Sequence, residues 1–271
     1  MAISSASLAY RRIALMNATK VTVKPPSEEV LKARDNFQDF CKLMGKAPAK
    51  HMLEWHAQLC TGEDTECLIG IGGPNTSILA PRGSAKSTVL GLFAAWMIGR
   101  HAAAKQMLRI LYIAYMVDIS RAKSATIKGI LISNKYREIF PMVRLSKIKR
   151  SDEYWSIDYE FAGIDTAGEE AFTIACGGLK GAITSKRSQL VLIDDPIKSA
   201  ASINNPDIRR EMEQTWSNVI APTMFQGARA ICLGTRFHFD DIHATLFVPK
   251  NKWKQIVQQA VITDSDGKQR S

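Results

Sequence analysis

Long uncharged runs are missing from this 271-residue chain, because Lys, Arg, Asp or Glu interrupts every one before it reaches the roughly 18 residues of a membrane span. No passage across a membrane is expected. Cysteine is sparse too: Cys41, Cys60, Cys67, Cys176 and Cys232 are odd in number, form no C-x-x-C pair and follow no apolar leader after Met1. That argues against a disulfide framework or zinc ribbon, and for a reduced, cytosolic protein. Internal repeats and low-complexity tracts are absent, and 46% hydrophobic with 23% charged residues excludes disorder as a description of the whole. Acidic residues are missing before Glu28, where Arg11, Arg12, Lys20 and Lys24 stand among Ser and Ala. Such a composition imitates a transit peptide; a basic arm over residues 1–26, ending at Pro25-Pro26, is the expected arrangement.

Positive charge is in excess. The net value is +10, and residues 101–150 hold eleven basic residues against two acidic ones, while residues 151–200 hold four against nine. A basic balance of this size points to a polyanionic partner without saying which.

Apolar spacing places the chemistry on elements. Val30, Leu31, Ala33, Phe37, Phe40, Cys41 and Met44 follow one helical stripe that stops near Gly45, and a second helix is expected from Ala49 to Leu59. After the turn cluster Gly72-Gly73-Pro74-Asn75 come a strand to Ala80, a loop of small residues, and a helix from Lys86 to Gly99. Leu108–Tyr115 reads as a buried strand, Val117 to Ser133 as a helix, 154–161 and 171–176 as antiparallel or edge strands. Gln189–Ile193 and Ala228–Leu233 are short apolar runs separated by a helix from Pro206 to Ile220, and Trp253–Ile262 is the last strand candidate. Alternating strands and helices predict an α/β fold with a mostly parallel central β-sheet flanked by helices.

The segment Pro81-Arg82-Gly83-Ser84-Ala85-Lys86-Ser87-Thr88 lies between strand and helix. A phosphate-binding loop needs small residues so that backbone N–H groups face oxygens, a Lys for the outer phosphates, and a hydroxyl for magnesium. Lys86 and Ser87 fit, although Ala80 and Ala85 stand where the strict Walker A pattern has glycine. An ordinary turn with Ser84 as N-cap is the alternative. The run Leu190-Val191-Leu192-Ile193-Asp194-Asp195 supplies the other half of such a site, Walker B in kind: Asp194 for the magnesium shell, Asp195 for the attacking water. A third run ends in Gly234-Thr235-Arg236-Phe237-His238-Phe239-Asp240-Asp241. There Thr235 is placed to meet the γ-phosphate or lytic water, and Arg236, His238, Asp240 and Asp241 read either as a metal cluster or as the cap of a following helix.

The order A-P-R-G-x-x-K-S-T, I-D-D-P-I-K, L-G-T-R-F-H-x-D-D and W-K-x-I resembles the ATPase half of the large terminase subunit of tailed bacteriophages, over residues 45 to 270. That resemblance implies a P-loop NTPase of the ASCE type over 27–263, with 264–271 as a polar tail leading to a nuclease domain. It further implies ATP and Mg2+ as cofactors and ATP-driven packaging of double-stranded DNA. The partners implied are a portal, a small terminase subunit and a homo-oligomeric ring, usually of five, and the place is the host cytoplasm, docked on the procapsid portal. By position it gives Lys86 to the β/γ-phosphates, Ser87 and Asp194 to magnesium, Thr88 to support of the loop, Arg82 to sensing the γ-phosphate, and Gly234 and Thr235 to coupling. Gln58, with His51, Trp55 and His56 nearby, falls where relatives approach the adenine; a plain amphipathic helix explains the same residues.

The chain departs from that pattern in two side chains. Asp195 stands where many relatives have Glu, so either Asp195 or another carboxylate such as Glu211 or Glu213 is the base. Ala85 replaces a glycine, which restricts φ unless the position is αR. The Gly-rich segment 177–187 ends in Arg187, the expected trans arginine finger, with Arg144 and Arg150 as competitors. The basic cluster Arg121, Lys123, Lys128, Lys135, Arg137, Arg144, Lys147, Lys149 and Arg150 suits either DNA phosphates or a subunit interface. A helicase-like ATPase and a nucleotide-gated binding module are the other functions this pattern allows.

Overall fold

A computed structural model describes residues 25–61, 72–179, 186–245, 253–259, 262–263 and 269–270. Most of the expected basic arm, residues 180–185 of the Gly-rich loop and most of the polar tail lie outside them.

Eight strands form one sheet: β1 (Thr76–Leu79), β2 (Ile110–Ala114), β3 (Leu145–Arg150), β4 (Tyr154–Ile157), β5 (Ile174–Gly178), β6 (Ser188–Asp194), β7 (Met224–Gly234) and β8 (Lys254–Val257), in the order β3-β4-β5-β2-β6-β7-β1-β8. From β5 to β8 the pairing is parallel, and β3 and β4 add an antiparallel hairpin at one edge. The sheet is thus the mostly parallel one expected. One strand, β7, is interposed between the loop strand β1 and the aspartate strand β6. Every parallel strand points the same way, so their C-terminal ends share one rim, the place where open α/β sheets bind ligands.

Period-2 alternation divides β2 between two cores: Ile110 and Tyr112 face one, Leu111 and Ile113 the other. Over the first face lie α1 (Glu28–Asp35), α2 (Phe37–Leu43), α3 (Leu53–Leu59), α4 (Lys86–Ala103), α5 (Val117–Ile132) and α6 (Asn134–Ile139). Helix α4 is buried almost all round because it is covered twice, by the sheet beneath and by α1 and α2 above; Trp96 Nε1 donates to Ala33 O at 3.1 Å, and Phe37 packs between Phe93 and Trp96. Truncating a ring such as Phe37 to Ala typically costs about 3–5 kcal/mol. The other face holds α7 (Ala200–Ile203) and α8 (Pro206–Thr215), and α9 (Ile242–Thr245) follows β7.

Several boundaries differ from the sequence expectation. The first helical stripe is two helices, because Asn36 is extended (φ −124°, ψ 121°) and its side chain caps α2 at Asp39 N–H. Strand β5 is interior, not an edge, since its second neighbour is β2. The last strand ends at Val257, and Ile262–Thr263 pairs instead with Gln269–Arg270 of the tail. Strand β3 and helix α6 carry no period visible in their sequence. The predicted helix from Pro206 closes in a π-turn over Trp216–Ile220.

Opposite the ligand rim, Arg229 of β7 is wholly buried. Its guanidinium donates to Pro74 O, Leu59 O, Thr61 O, Gln58 O and Thr76 Oγ1 at 2.9–3.0 Å. It ties the C-terminal end of α3, where the helix dipole is negative, to the start of β1. Burial lowers its pKa to about 10.

Candidate functional site

The loop from Ala80 to Ala85 leaves β1 and enters α4 through two left-handed residues, Gly83 (φ 82°) and Ala85 (φ 60°, ψ 24°). The αR conformation that would have accommodated alanine at 85 is not the one adopted. Ser84 is not the N-cap either: its hydroxyl donates to Pro81 O at 2.7 Å and closes the loop on itself. Helix α4 therefore starts at Lys86 without a side-chain cap or an acidic residue in its first turn. Uncapped N–H groups at the positive end of an 18-residue helix are a ready anion site.

Around that helix start the ends of three strands converge. Ser87 Oγ donates to Asp194 Oδ1 at 2.9 Å, and Tyr112 OH donates to Asp194 Oδ2 at 3.0 Å. Asp194 is 1% exposed; burial raises its pKa, and the Ser87 hydrogen bond opposes that rise. Tyr112, buried beneath it, is pushed well above the ordinary phenol range by burial and the neighbouring carboxylate, so it keeps its proton and remains a donor. Lys86 Nζ donates to Pro81 O (2.8 Å), Ala80 O (3.2 Å) and Thr235 Oγ1 (3.1 Å), and stands 3.9 Å from Asp195 Oδ1. Burial lowers the Lys86 pKa, and Asp195 and Asp194 pull it back up. Thr235 Oγ1 in turn donates to Ala80 O at 3.2 Å.

Asp195 has a left-handed backbone (φ 42°), its N–H bonded to Leu233 O at 2.8 Å. Its side chain remains 47% exposed towards the cleft, whereas Asp194 is sealed. Strained residues held by their surroundings concentrate at sites of function. Arg82 stacks over Phe237 at 5.1 Å and donates to Lys198 O at 2.9 Å, which holds its guanidinium at the cleft wall. Together these residues line a cleft of about 540 Å³, to which Gly83, Ala85, Thr88, Tyr115 and Lys123 also contribute.

Other expected residues are not brought there. Gln58 lies at the start of β1, its amide bonded to Thr61 and Thr76; a strand of four residues puts about 10 Å between it and the loop. Trp55 and His56 are core, His56 stacking on Phe37 at 4.6 Å, so the amphipathic-helix explanation holds for this segment. Glu211 and Glu213, on α8, do not line the cleft. Arg187 is exposed at the start of β6 and stacks over Phe225 at 4.7 Å, while Arg144 stacks over Phe161 and Arg150 Nε donates to Ser146 O. Asp241 accepts from the N–H groups of Phe237, His238 and His243. It is a cap, and among the described residues no His, Cys, Asp or Glu group is arranged to hold a metal.

The basic cluster is partly consumed by its own surroundings. Arg121 pairs with Glu153 and Asp118, and Lys128 pairs with Asp152. Lys149 Nζ donates to Ala171 O and lies over the Tyr154 ring at 5.6 Å, with the Glu170 carboxylate nearby. Tyr112, which bonds Asp194 from beneath, and Tyr115, which lines the cleft, had no distinguishing signal in the sequence; Lys123 was visible only as one cation among nine.

No protein-family model matches the sequence, and no curated protein matches it. Solved structures similar to the chain include the large terminase ATPase domain of Thermus phage P74-26, with 14% identity, TM-score 0.45, 81% of this chain and 84% of that one covered. The N-terminal domain of the DNA packaging ATPase from bacteriophage phi29 is similar at 13% identity and TM-score 0.41, over 69% of this chain and 91% of that one. A large terminase from a thermophilic bacteriophage, in complex with ATP-γ-S, is similar at 10% identity and TM-score 0.41, over 86% of this chain. The chain spans 44% of the length of that last protein.

Proposed function

We propose that this chain is an ATP-hydrolysing motor domain that drives packaging of double-stranded viral DNA into a procapsid. The observation that carries the ATPase part is the meeting of Lys86, Ser87, Asp194, Asp195 and Thr235 at one rim, with Ser87 to Asp194 at 2.9 Å and Lys86 to Thr235 at 3.1 Å. In this reading Lys86 leaves the carbonyls of its own loop for the β/γ-phosphates of ATP, whose α- and β-oxygens take the N–H groups at the start of α4.

The oxygen donors Ser87 Oγ and Asp194 Oδ1 suit Mg2+, a hard cation bound by one or two carboxylates plus phosphates, and the buried, raised carboxyl of Asp194 fits a site that gains from a cation. When bound, Mg2+ would supply charge neutralisation at the β- and γ-oxygens. Asp195, exposed to the cleft beside Lys86, orients and deprotonates the attacking water. Thr235 holds the lysine in its resting place and offers the hydroxyl that meets the γ-phosphate. Thr88 supports the loop, and Arg82, held at the cleft wall by Phe237 and Lys198 O, is the residue that senses the γ-phosphate.

DNA as the polyanion is supported by the edge hairpin, where Lys147, Lys149 and Arg150 lie on β3, and by the +9 balance of residues 101–150. Such contacts grip phosphate without reading bases. A homo-oligomeric ring, a portal and a small subunit are the partners this function needs.

Steady-state phosphate release tests the proposal. Wild-type chain is expected to hydrolyse ATP, faster with DNA and portal-bearing procapsids, while Lys86→Ala does not. Wild-type release no higher than that of Lys86→Ala, with and without DNA, would remove the enzyme reading.

A further inference from the structure

Helix α5 carries three cations over residues 121–128, and they have different fates. Arg121 pairs with Glu153 and Asp118; Lys128 donates to Arg150 O, Ser151 O and Asp152. Lys123, two residues from Arg121, projects from another side of the helix because successive residues turn about 100°. It lines the nucleotide cleft with Lys86, Ser87 and Asp194. It also lines an adjoining groove of about 340 Å³ between α4 and α5, with Ser87, Thr88 and Tyr112. It therefore stands where the two spaces meet, half-buried, with no hydrogen bond or ion pair to any described residue.

The sheet order places Lys123 and Lys86 on opposite flanks of Asp194. Lys86 reaches Thr235 at the end of β7, on one side of β6, while α5 packs over β2 and β5, on the other. The remaining loop cation, Arg82, is committed to Phe237 and Lys198 O. A triphosphate carries more negative charge than one lysine and one divalent cation neutralise, and a half-buried ammonium that feels the Asp194 charge but spends none of its N–H groups on a hydrogen bond to a described residue is a donor in waiting.

We infer that Lys123 is a second phosphate-binding residue of the same subunit, contacting the terminal phosphate of a nucleoside triphosphate from the α5 side. This rests on the nucleotide reading of the cleft. It also gives that reading an outlet. The other turns of α5 hold the basic hairpin, through Lys128, Arg121 and the 2.6 Å hydrogen bond from Trp155 Nε1 to Ser124 Oγ. A γ-phosphate pulling on Lys123 acts on the helix that anchors β3 and β4, and its loss releases that helix. Nucleotide state is thereby linked to the edge that carries Lys147, Lys149 and Arg150.

Fluorescence titration of the full chain with ATP and with ADP, each with Mg2+, tests this. Lys123→Ala is expected to weaken ATP binding about 10- to 100-fold, the worth of one hydrogen bond to a charged group, and to leave ADP within twofold. Lys123→Arg is expected to restore ATP binding to within about threefold. Equal losses for ATP and ADP, or no loss for either while Lys86→Ala weakens both, would overturn the assignment and leave the nucleotide site standing. Failure of the wild-type chain to bind either nucleotide would overturn the nucleotide reading and this inference with it.

Discussion

Ser87 and Asp194 are 107 residues apart in the sequence, and their side chains meet at 2.9 Å. The contact joins the helix that leaves β1 to the end of β6, two strands away. It places a hydroxyl and a carboxylate side by side, the two oxygen donors that the proposed function gives to a divalent cation. Replacing Asp194 with Asn keeps the shape and removes the charge. Such a variant is expected to weaken binding of ATP with Mg2+ at least 10- to 100-fold, the range seen when support around a metal is lost, and to change binding in EDTA little. Titration with and without EDTA reads the difference. Equal affinity of Asp194→Asn and wild type for ATP with Mg2+ would show that the pair is merely a strand-to-helix tie.

Ala85 holds φ 60° and ψ 24°. A residue with a Cβ in the left-handed region costs about 1–2 kcal/mol, and glycine gives back part of that through its larger unfolded-state entropy, about 0.5–1 kcal/mol. Ala85→Gly is accordingly expected to stabilise the chain by about 0.5–1 kcal/mol and to raise Tm by about 1–4 °C. Calorimetry decides the sign, and a lower Tm would mean that contacts of the Ala85 methyl outweigh its strain.

Most of the residues that meet at the candidate site were legible because the pattern of a phosphate loop is local in sequence. Small loop residues, Lys86 and Ser87 are contiguous, and Asp194-Asp195 end a short apolar run of the length and β-branched content of a buried strand. What escaped was long-range. Gln58 was placed near adenine by position along the chain, yet it closes the opposite end of β1, where it neighbours the backbone that Arg229 binds. Arg229 itself, whose guanidinium donates to four carbonyls and the Thr76 hydroxyl, stood in an apolar run with nothing to mark it. Strand β3 escaped for a different reason. Leu145-Ser-Lys-Ile-Lys-Arg150 lies at the sheet edge with Ile148 91% exposed, so alternation reports no core there. Lysines on an edge strand also deter edge-to-edge pairing.

His56 and His101 are buried, and neither ring nitrogen of either residue has a hydrogen-bond partner. Burial holds His56 down to about 4 and His101 to about 3, the latter with help from the charge of Arg100. Unfolded, both take a proton near 6.5. The stability that comes from keeping them neutral is complete above that value. It is lost as pH falls towards the folded values, because the unfolded chain then binds more protons. Each contributes a slope of up to about 1.4 kcal/mol per pH unit. Urea midpoints between pH 7.5 and 4.5 should fall for wild type and fall less steeply for His101→Gln and for His56→Phe. Asp194, raised by burial, acts with the opposite sign and is common to all three chains. Parallel curves would show that the two histidines are not buried as neutral rings.

Arg187 precedes β6, and Asp194 ends it. Seven residues of strand put about 20 Å between their backbones, so Arg187 serves no phosphate in the cleft of its own chain. An exposed guanidinium stacked on Phe225 at 4.7 Å, on the rim opposite the loop, is available only to a neighbour. If it is the arginine finger, Arg187→Ala should bind nucleotide within twofold of wild type as a single chain, and lose on the order of 10³ in the hydrolysis rate of the DNA-stimulated assembly. Lys86→Ala subunits keep their Arg187 but have no working cleft, whereas Arg187→Ala subunits keep the cleft and lack the finger. Mixing the two inactive chains therefore builds active interfaces, and the recovered rate should peak near equal proportions. Recovery at no proportion would leave Arg187 as a surface residue and return the trans role to the basic hairpin.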